Sequence, residues 1–102
     1  MTIKLVVMYT QPADTAEFDK HYLDVHMPLA RQLPGLQRAE TGVFTAALDG
    51  GEQPYYRVAE LYFADQDAMG AAFASDEGKA TAADYQQIAP PGSRMFVEVL
   101  DD

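Results

Sequence analysis

The sequence predicts an α+β fold of the order βαββαβ, in which a four-stranded antiparallel sheet carries both helical regions on one face. Residues 2–10 and 94–100 are apolar, β-branched runs near the two ends of the chain, which is typical of strands. Residues 36–48 and 55–63 flank the turn signal Asp49-Gly50-Gly51 and predict a hairpin. Helical patterns fill the two remaining gaps. Two split βαβ units with right-handed crossovers result.

The strands differ in the position that they should take in the sheet. Residues 2–10 hold a single charge, which predicts a central strand covered on both faces. Residues 36–48 alternate only in part between polar and apolar side chains, which predicts a strand nearer an edge.

The first helix should begin after Asp14, because Asp is a favoured N-cap and Glu17 stands three residues later. It should run roughly to Leu33, where Pro34-Gly35 ends it. Pro28 lacks a backbone donor, so we expect the helix to kink or restart there. The apolar stripe of this helix consists of Phe18, Tyr22, Val25, Leu29 and Leu33.

The second helical region should consist of two segments, because Asp65 and Ser75 each stand at an N-cap position. The later segment should run from about residue 77 to residue 88, and Pro90-Pro91-Gly92 ends it. The expected apolar faces comprise Ala68, Met69, Ala72 and Phe73 in the first segment and Ala80, Ala83 and Tyr85 in the second.

Length and charge limit the classes of function. The 102 residues suffice for one domain with one modest core, which we expect to span residues 1–102. The formal net charge is −9 and no Lys or Arg cluster exists, which argues against nucleic acid and anionic membranes as partners. No apolar run is long enough to cross a bilayer, and no cysteine is available for disulfide or thiolate chemistry. We therefore expect a cytoplasmic protein.

One face of the predicted sheet has no element of the chain to cover it. Alternation along the third and last strands separates wholly apolar sets from mixed sets. The apolar sets, which we assign to the helix side, are Ala59, Leu61 and Phe63 with Met95, Val97 and Val99. The mixed sets on the open face contain Glu60, Tyr62, Phe96 and Glu98. A second copy of the chain would cover this face across a two-fold axis. The resulting homodimeric α+β barrel would have an interior of mixed polarity, suited to a small organic ligand.

Several motifs point to one family. The most specific are His26-Met27-Pro28-Leu29 and the following Leu33-Pro34-Gly35-Leu36. The other matching positions are Tyr9, Pro12, Phe18, Tyr22, the run from Tyr56 to Phe63, Ser75-Asp76-Glu77-Gly78 and Asp84. With these residues the chain resembles the EthD-like family, named for ethyl tert-butyl ether degradation, within the dimeric α+β barrel superfamily. The resemblance implies a homodimer of ferredoxin-like subunits with a pocket in each. It implies less about the reaction, because the superfamily includes monooxygenases, decarboxylases, isomerases, dehydratases and haem-degrading proteins.

His26 is the first candidate catalytic residue. It lies at the margin of the apolar stripe, and an imidazole exchanges protons near neutral pH. The alternative is a structural histidine that holds the kink at Pro28 through a backbone carbonyl. His21 stands five residues earlier, so on a regular helix it should point elsewhere, into solvent. This spacing does not fit a helical metal site.

Glu60 is the second candidate catalytic residue, because an acid in the middle of a strand needs a partner or a role. The alternative is an ion pair with Arg38 or Arg57. The substrate-binding positions that we predict are Tyr9, Tyr22, Tyr62 and Phe96. Tyrosines in such positions either donate a hydrogen bond to a ligand carbonyl or simply pack.

These features predict a small enzyme or enzyme accessory protein that binds a small apolar or aromatic oxygenated compound. His26 would transfer protons without a cofactor or metal, assisted by Glu60 or a tyrosine. A cofactor-independent oxidoreductase, decarboxylase or isomerase would fit this description. The rival hypothesis is a non-catalytic dimeric binding or carrier module for a degradation pathway, favoured by the lack of a second undisputed catalytic group.

Overall fold

The computed structural model describes residues 1–102 and contains one sheet of four strands. The strands are β1 Ile3–Thr10, β2 Arg38–Val43, β3 Tyr55–Phe63 and β4 Arg94–Val99. They pair antiparallel in the order β2-β3-β1-β4, which is the order of a ferredoxin-like sheet. The predicted fold class is confirmed, and β2 is an edge strand as expected. It is shorter than predicted, because the chain leaves the sheet after Phe44 for a loop in which Gly50 has a φ of 74°.

The helix layer contains four α-helices and one π-helical segment. The helices are α1 Thr15–His21, α2 Met27–Ala30, α3 Gln66–Ala74 and α4 Asp76–Ile88, with a π-helical segment at Tyr22–His26 between α1 and α2. The three predicted N-caps are confirmed. Asp14, Asp65 and Ser75 accept hydrogen bonds from the backbone N–H groups three residues later, at 3.0, 2.8 and 3.0 Å. None of these helices has the length and apolar character needed to cross a bilayer.

The π-helical segment changes which side chains share a face. The backbone N–H of Met27 donates to the carbonyl of Tyr22, five residues earlier, so this turn is wider than an α-helical turn. Pro28 follows directly, and α2 restarts with this residue in its first turn. Because the turn is widened, His21 and His26 point to the same neighbouring helix. The expectation that they point apart is wrong, since it assumed a regular α-helix.

Two clusters of buried side chains lie between the sheet and the helices. The first contains Tyr9 and Tyr22, and the second contains Leu61 and Phe63. At Gly78 of α4 a Cβ would collide with the backbone of Ala72 and Phe73, so the end of α3 and the start of α4 pack backbone against backbone.

The buried face of α4 differs from the prediction. Its buried residues are Gly78, Thr81 and Asp84, whereas Ala80 and Ala83 are exposed. Alanine is small enough for either environment, so the alanine pattern did not identify the face. Asp84 points inward, where His21 and His26 are its hydrogen-bond partners.

The helix layer does not extend over β4. Met95 and Val97 of β4 pair with Val7 and Leu5 of β1 and therefore lie on the helix side, as predicted. They are nevertheless about half exposed, as is Val99. β1 lies in the centre of the sheet, as predicted, and presents Lys4 on the face opposite the helices.

Candidate active site

His26 and Asp84 form a buried hydrogen-bonded pair between the π-helical segment and α4. Nδ1 of His26 lies 2.7 Å from Oδ2 of Asp84, and the two residues are 5% and 9% exposed. Because an ionised carboxylate only accepts hydrogen bonds, Nδ1 is the donor, and we assign the proton of the neutral ring to it. Nε2 then keeps its lone pair. The hydroxyl of Tyr9, 3.3 Å from Nε2, donates to that lone pair.

The second oxygen of Asp84 is occupied as well. Oδ1 lies 2.8 Å from Nε2 of His21, whose side chain is 36% exposed. We expected His21 to point into solvent, but its ring contacts Asp84 and is only partly exposed, and the reason is again the wide turn. No group of three or more His, Asp or Glu side chains is placed to hold a metal ion.

A cavity of about 260 Å³ lies between the sheet and the helices, and His26 and Tyr9 form part of its wall. Twelve of its fifteen lining residues are hydrophobic. Towards the surface it is bordered by Ala82 and Gln86 of α4 and by Met95 of β4, all of which are exposed. The mouth therefore lies where the helix layer stops short of β4.

Burial sets the protonation of the two polar groups that meet in this wall. It lowers the pKa of His26 below the ordinary value of 6.5, although the hydrogen bond and charge of Asp84 oppose this shift. It also raises the pKa of Tyr9 far above its ordinary value. At neutral pH the pair therefore consists of a neutral imidazole with a free basic nitrogen and a neutral phenol that donates. Such a pair can accept one proton and stabilise one developing negative charge.

Comparison with known proteins agrees with the motifs. The EthD domain family matches residues 10–90. The chain belongs to the EthD family. It is 40% identical over 93 residues to an uncharacterized 11.0 kDa protein of the thcB-thcC intergenic region of Rhodococcus erythropolis. The match covers 91% of this chain and 89% of that protein.

Solved structures share this fold. An EthD family protein from Bacillus halodurans superposes with a TM-score of 0.91 at 32% identity, covering 98% of this chain and 99% of that one. SnoaB, a cofactor-independent oxygenase from Streptomyces nogalater, shares the fold at a TM-score of 0.67 and 19% identity, over 99% of this chain and 94% of its own.

The EthD chain brings part of the predicted site together. His26 and Tyr9 meet in the cavity wall. Tyr22 does not line the cavity, but its ring stacks on His26 with centroids 5.7 Å apart. Its hydroxyl lies 2.7 Å from Oγ1 of Thr41. Tyr22 therefore packs against the imidazole ring of His26 without reaching the cavity.

The remaining predicted residues lie on the opposite face of the sheet, outside the cavity. Glu60 lies 3.1 Å from Nζ of Lys4, so the expected pairing with Arg38 or Arg57 is wrong. Tyr62 donates to Glu40 at 2.9 Å, and Phe96 is 41% exposed. Successive side chains of a strand point to opposite faces, so a residue on the open face cannot share a pocket with Tyr9.

Two residues of the cavity region were not recognised as site residues. From the sequence, Asp84 was predicted only to match a family position, and Tyr85 only to belong to the apolar face of its helix. Tyr85 lines the cavity with its ring 5.7 Å from that of Tyr9. The available signal was an acid next to an aromatic residue on a helix, which by itself is common.

Proposed function

We propose that this EthD protein is a cofactor-free acid–base enzyme acting on a small apolar carbonyl or phenolic compound. The observation that carries the proposal is the hydrogen-bonded series Asp84–His26–Tyr9, which ends in the wall of an apolar cavity. An aspartate that fixes the tautomer of a histidine leaves the other ring nitrogen free to act as a base.

In the proposed step the substrate carbonyl accepts the Tyr9 hydroxyl, which releases Nε2 of His26. Nε2 takes a proton from the carbon next to the carbonyl. The C–H bond breaks, an N–H bond forms, and the electron pair passes into an enolate whose oxygen the Tyr9 hydroxyl stabilises. Asp84 stays ionised and stabilises the resulting imidazolium. Return of the proton to another atom would complete an isomerisation, and an enolate or phenolate is also the electron-rich species that reacts with molecular oxygen.

The cavity supports a small, uncharged substrate. Its volume of about 260 Å³ is at the low end for ligand pockets, which suits one substituted ring. Its walls offer no Lys or Arg to an anionic group, and the chain carries a net charge of −9. SnoaB, which has this fold, is described as a cofactor-independent oxygenase, and this agrees with chemistry that needs no bound group.

Hydrogen–deuterium exchange tests the proton transfer without knowledge of the natural substrate. The protein is incubated in D₂O with small ketones such as acetophenone and cyclohexanone, and loss of the α-hydrogen signal is followed by NMR. We expect exchange above the buffer rate that is lost in His26→Asn. Asn places its amide N–H where Nδ1 donates to Asp84 but has no group in place of Nε2. Glu60→Gln, on the opposite face, is the matched control and should exchange like the unaltered protein.

The carrier hypothesis gives a different result in the same experiment. Its support is the apolar character of most of the cavity wall. If the ketones perturb the methyl signal of Met95 but do not exchange, the cavity binds without catalysing. Exchange that is equal in His26→Asn and the unaltered protein would overturn the role of His26.

We also propose that the open face of the sheet is covered by a second copy of the chain. On this face Val6 of β1 lies opposite Glu60 of β3 and Phe96 of β4, so the apolar side chains of Val6 and Phe96 lie on the same face as the Lys4 ion pairs. Tyr62, Phe96 and Glu60 would then serve the homodimer rather than the ligand. Sedimentation at micromolar concentration should give a dimer, and Val6→Arg should give a monomer. Leu23→Arg, at an exposed position of the helix layer, should leave the dimer intact. A lone subunit of the unaltered protein would contradict the proposal.

A further inference from the structure

His21 connects the buried pair to the surface, and the proposed chemistry does not use it. Its Nε2 binds the Asp84 oxygen that His26 leaves free. Its other face belongs to a surface depression that also contains Asp14, Glu17 and Gln87. One buried carboxylate is therefore held between an imidazole in the cavity wall and an imidazole at the surface.

We propose that His21 is a positioning residue for His26: it holds the Asp84 carboxylate in the orientation that fixes the His26 tautomer, and its own protonation alters the basicity of Nε2. This inference rests on the proposed function, because it concerns the base of that reaction.

The positioning part follows from the hydrogen bonds of Asp84. Each carboxylate oxygen accepts one imidazole N–H, at 2.7 and 2.8 Å, and the side chain is 9% exposed. Without His21, Oδ1 would be a buried acceptor with no partner, which is costly. The carboxylate would then rotate towards solvent and release Nδ1 of His26. A neutral His26 could then carry its proton on Nε2, and this nitrogen would no longer have a lone pair with which to act as the base.

The electrostatic part follows from the two nitrogens of His21. Nε2–H donates to Asp84 in both protonation states, because the carboxylate only accepts. Nδ1, which has no hydrogen-bond partner within the protein, takes or loses the proton. Protonation therefore adds a positive charge beside Asp84 without breaking its contact, and this charge makes His26 less basic.

The neighbouring charges do not cancel this effect at His26. Asp84 on α4 and His26 face His21 directly, and Asp14 and Glu17 stand at the rim of the depression. Lys20 on α1 is paired with Asp24 at 3.3 Å on the outer surface. No Lys or Arg lines the cavity on the other side of Asp84.

The test is imidazole ¹⁵N NMR of the ligand-free protein, which has two histidines and so gives a simple spectrum. His21→Gln and His21→Asn form a matched pair. The Gln amide nitrogen can take the place of Nε2 and reach Asp84 but does not titrate, whereas the Asn side chain is too short. In the unaltered protein and in His21→Gln, neutral His26 should carry its proton on Nδ1, and in His21→Asn it should show a mixture of tautomers.

The titration of His26 supplies the second readout. Its midpoint should be higher in His21→Gln than in the unaltered protein, because the positive charge is gone. Glu17→Gln, which alters the rim and not the contact, should keep the Nδ1 tautomer. If His21→Asn retains that tautomer, the positioning role is wrong, and if His21→Gln leaves the midpoint unchanged, the electrostatic role is wrong. Neither readout needs turnover, so these failures are distinct from failure of the deuterium exchange.

Discussion

The two faces of the sheet carry similar charged groups in different surroundings. On the open face Lys4 lies 3.1 Å from Glu60 and 3.2 Å from Glu98, and these carboxylates are 30% and 51% exposed. On the helix side Asp84 is 9% exposed and has two imidazoles as its partners. Within one subunit, the first arrangement is an ion pair in contact with water. The second is a buried carboxylate that accepts hydrogen bonds from two imidazole rings.

In the proposed reaction, burial rather than residue type distinguishes the acid that takes part from the acids that do not. A partly exposed carboxylate beside an ammonium forms an ion pair that the solvent screens. A buried carboxylate beside an imidazole fixes the tautomer of that ring and directs its basic nitrogen into an apolar cavity, where electrostatic effects are stronger. The comparison leads to predictions that should affect one face and spare the other.

The largest expected effect is on proton transfer in Asp84→Asn. The Asn amide can donate to Nδ1 of His26 and so reverse the tautomer, which places the ring proton on Nε2. We expect the deuterium exchange rate to fall by roughly 10²–10⁴-fold, the usual contribution of a positioned base. Glu60→Gln, the corresponding change on the open face, should leave the rate unchanged. Equal loss in both variants would show that exchange does not occur in the cavity.

Gly78→Ala should be the most destabilising single change in the helix layer. A Cβ at this position meets the backbone of Ala72 and Phe73, which cannot move without separating α3 from α4. We expect the free energy of unfolding to fall by about 3 kcal/mol in urea denaturation. Gly70→Ala in α3 is the control, because no atom lies within 4 Å of its added Cβ. That variant should be more stable by about 1 kcal/mol or less, through helix propensity.

The fold was predictable because its signals are local. The caps at Asp14, Asp65 and Ser75 and the hairpin before Tyr55 depend on residues a few positions apart. Strand order then follows from the handedness of the crossovers. The uncovered face of the sheet was predictable as well, because both helical regions lie on one face and the sequence predicts no further element for the other.

The site was predictable only in part. His26 and Tyr9 carried signals of their own, a polar ring beside an apolar stripe and a tyrosine at the end of a strand. Asp84 comes near them through packing across 58 positions of the chain, which no local pattern encodes. The contact of His21 with Asp84 depends on a π-helical turn. An interpretation with 3.6 residues per turn places the His21 ring on a different face of the helix from His26. Glu60 was a candidate because it is an acid in an otherwise apolar strand, but its side chain lies on the open face, where it pairs with Lys4.

Acid should weaken the folded state through His26. Burial lowers its native pKa below 6.5, so just under this pH the unfolded chain binds a proton that the native protein does not. The free energy of unfolding should therefore fall as pH decreases from about 6.5 to the lowered native pKa, and this contribution should end below it. Urea denaturation at a series of pH values should show a smaller decrease in His26→Asn. An equal slope in both proteins would mean that His26 titrates alike in the folded and unfolded states.

The smallest expected effect concerns the open face. Lys4→Met leaves Glu60 and Glu98 without their shared cation, and we expect a loss of about 1 kcal/mol in the free energy of unfolding, reduced by added salt. Lys20→Met, which removes the cation of an exposed pair with Asp24, should have no measurable effect. Deuterium exchange should be unchanged in both variants, because neither lysine lines the cavity. A loss of exchange in Lys4→Met without a loss of stability would show that the two faces are coupled, and the separation of roles between them would then be wrong.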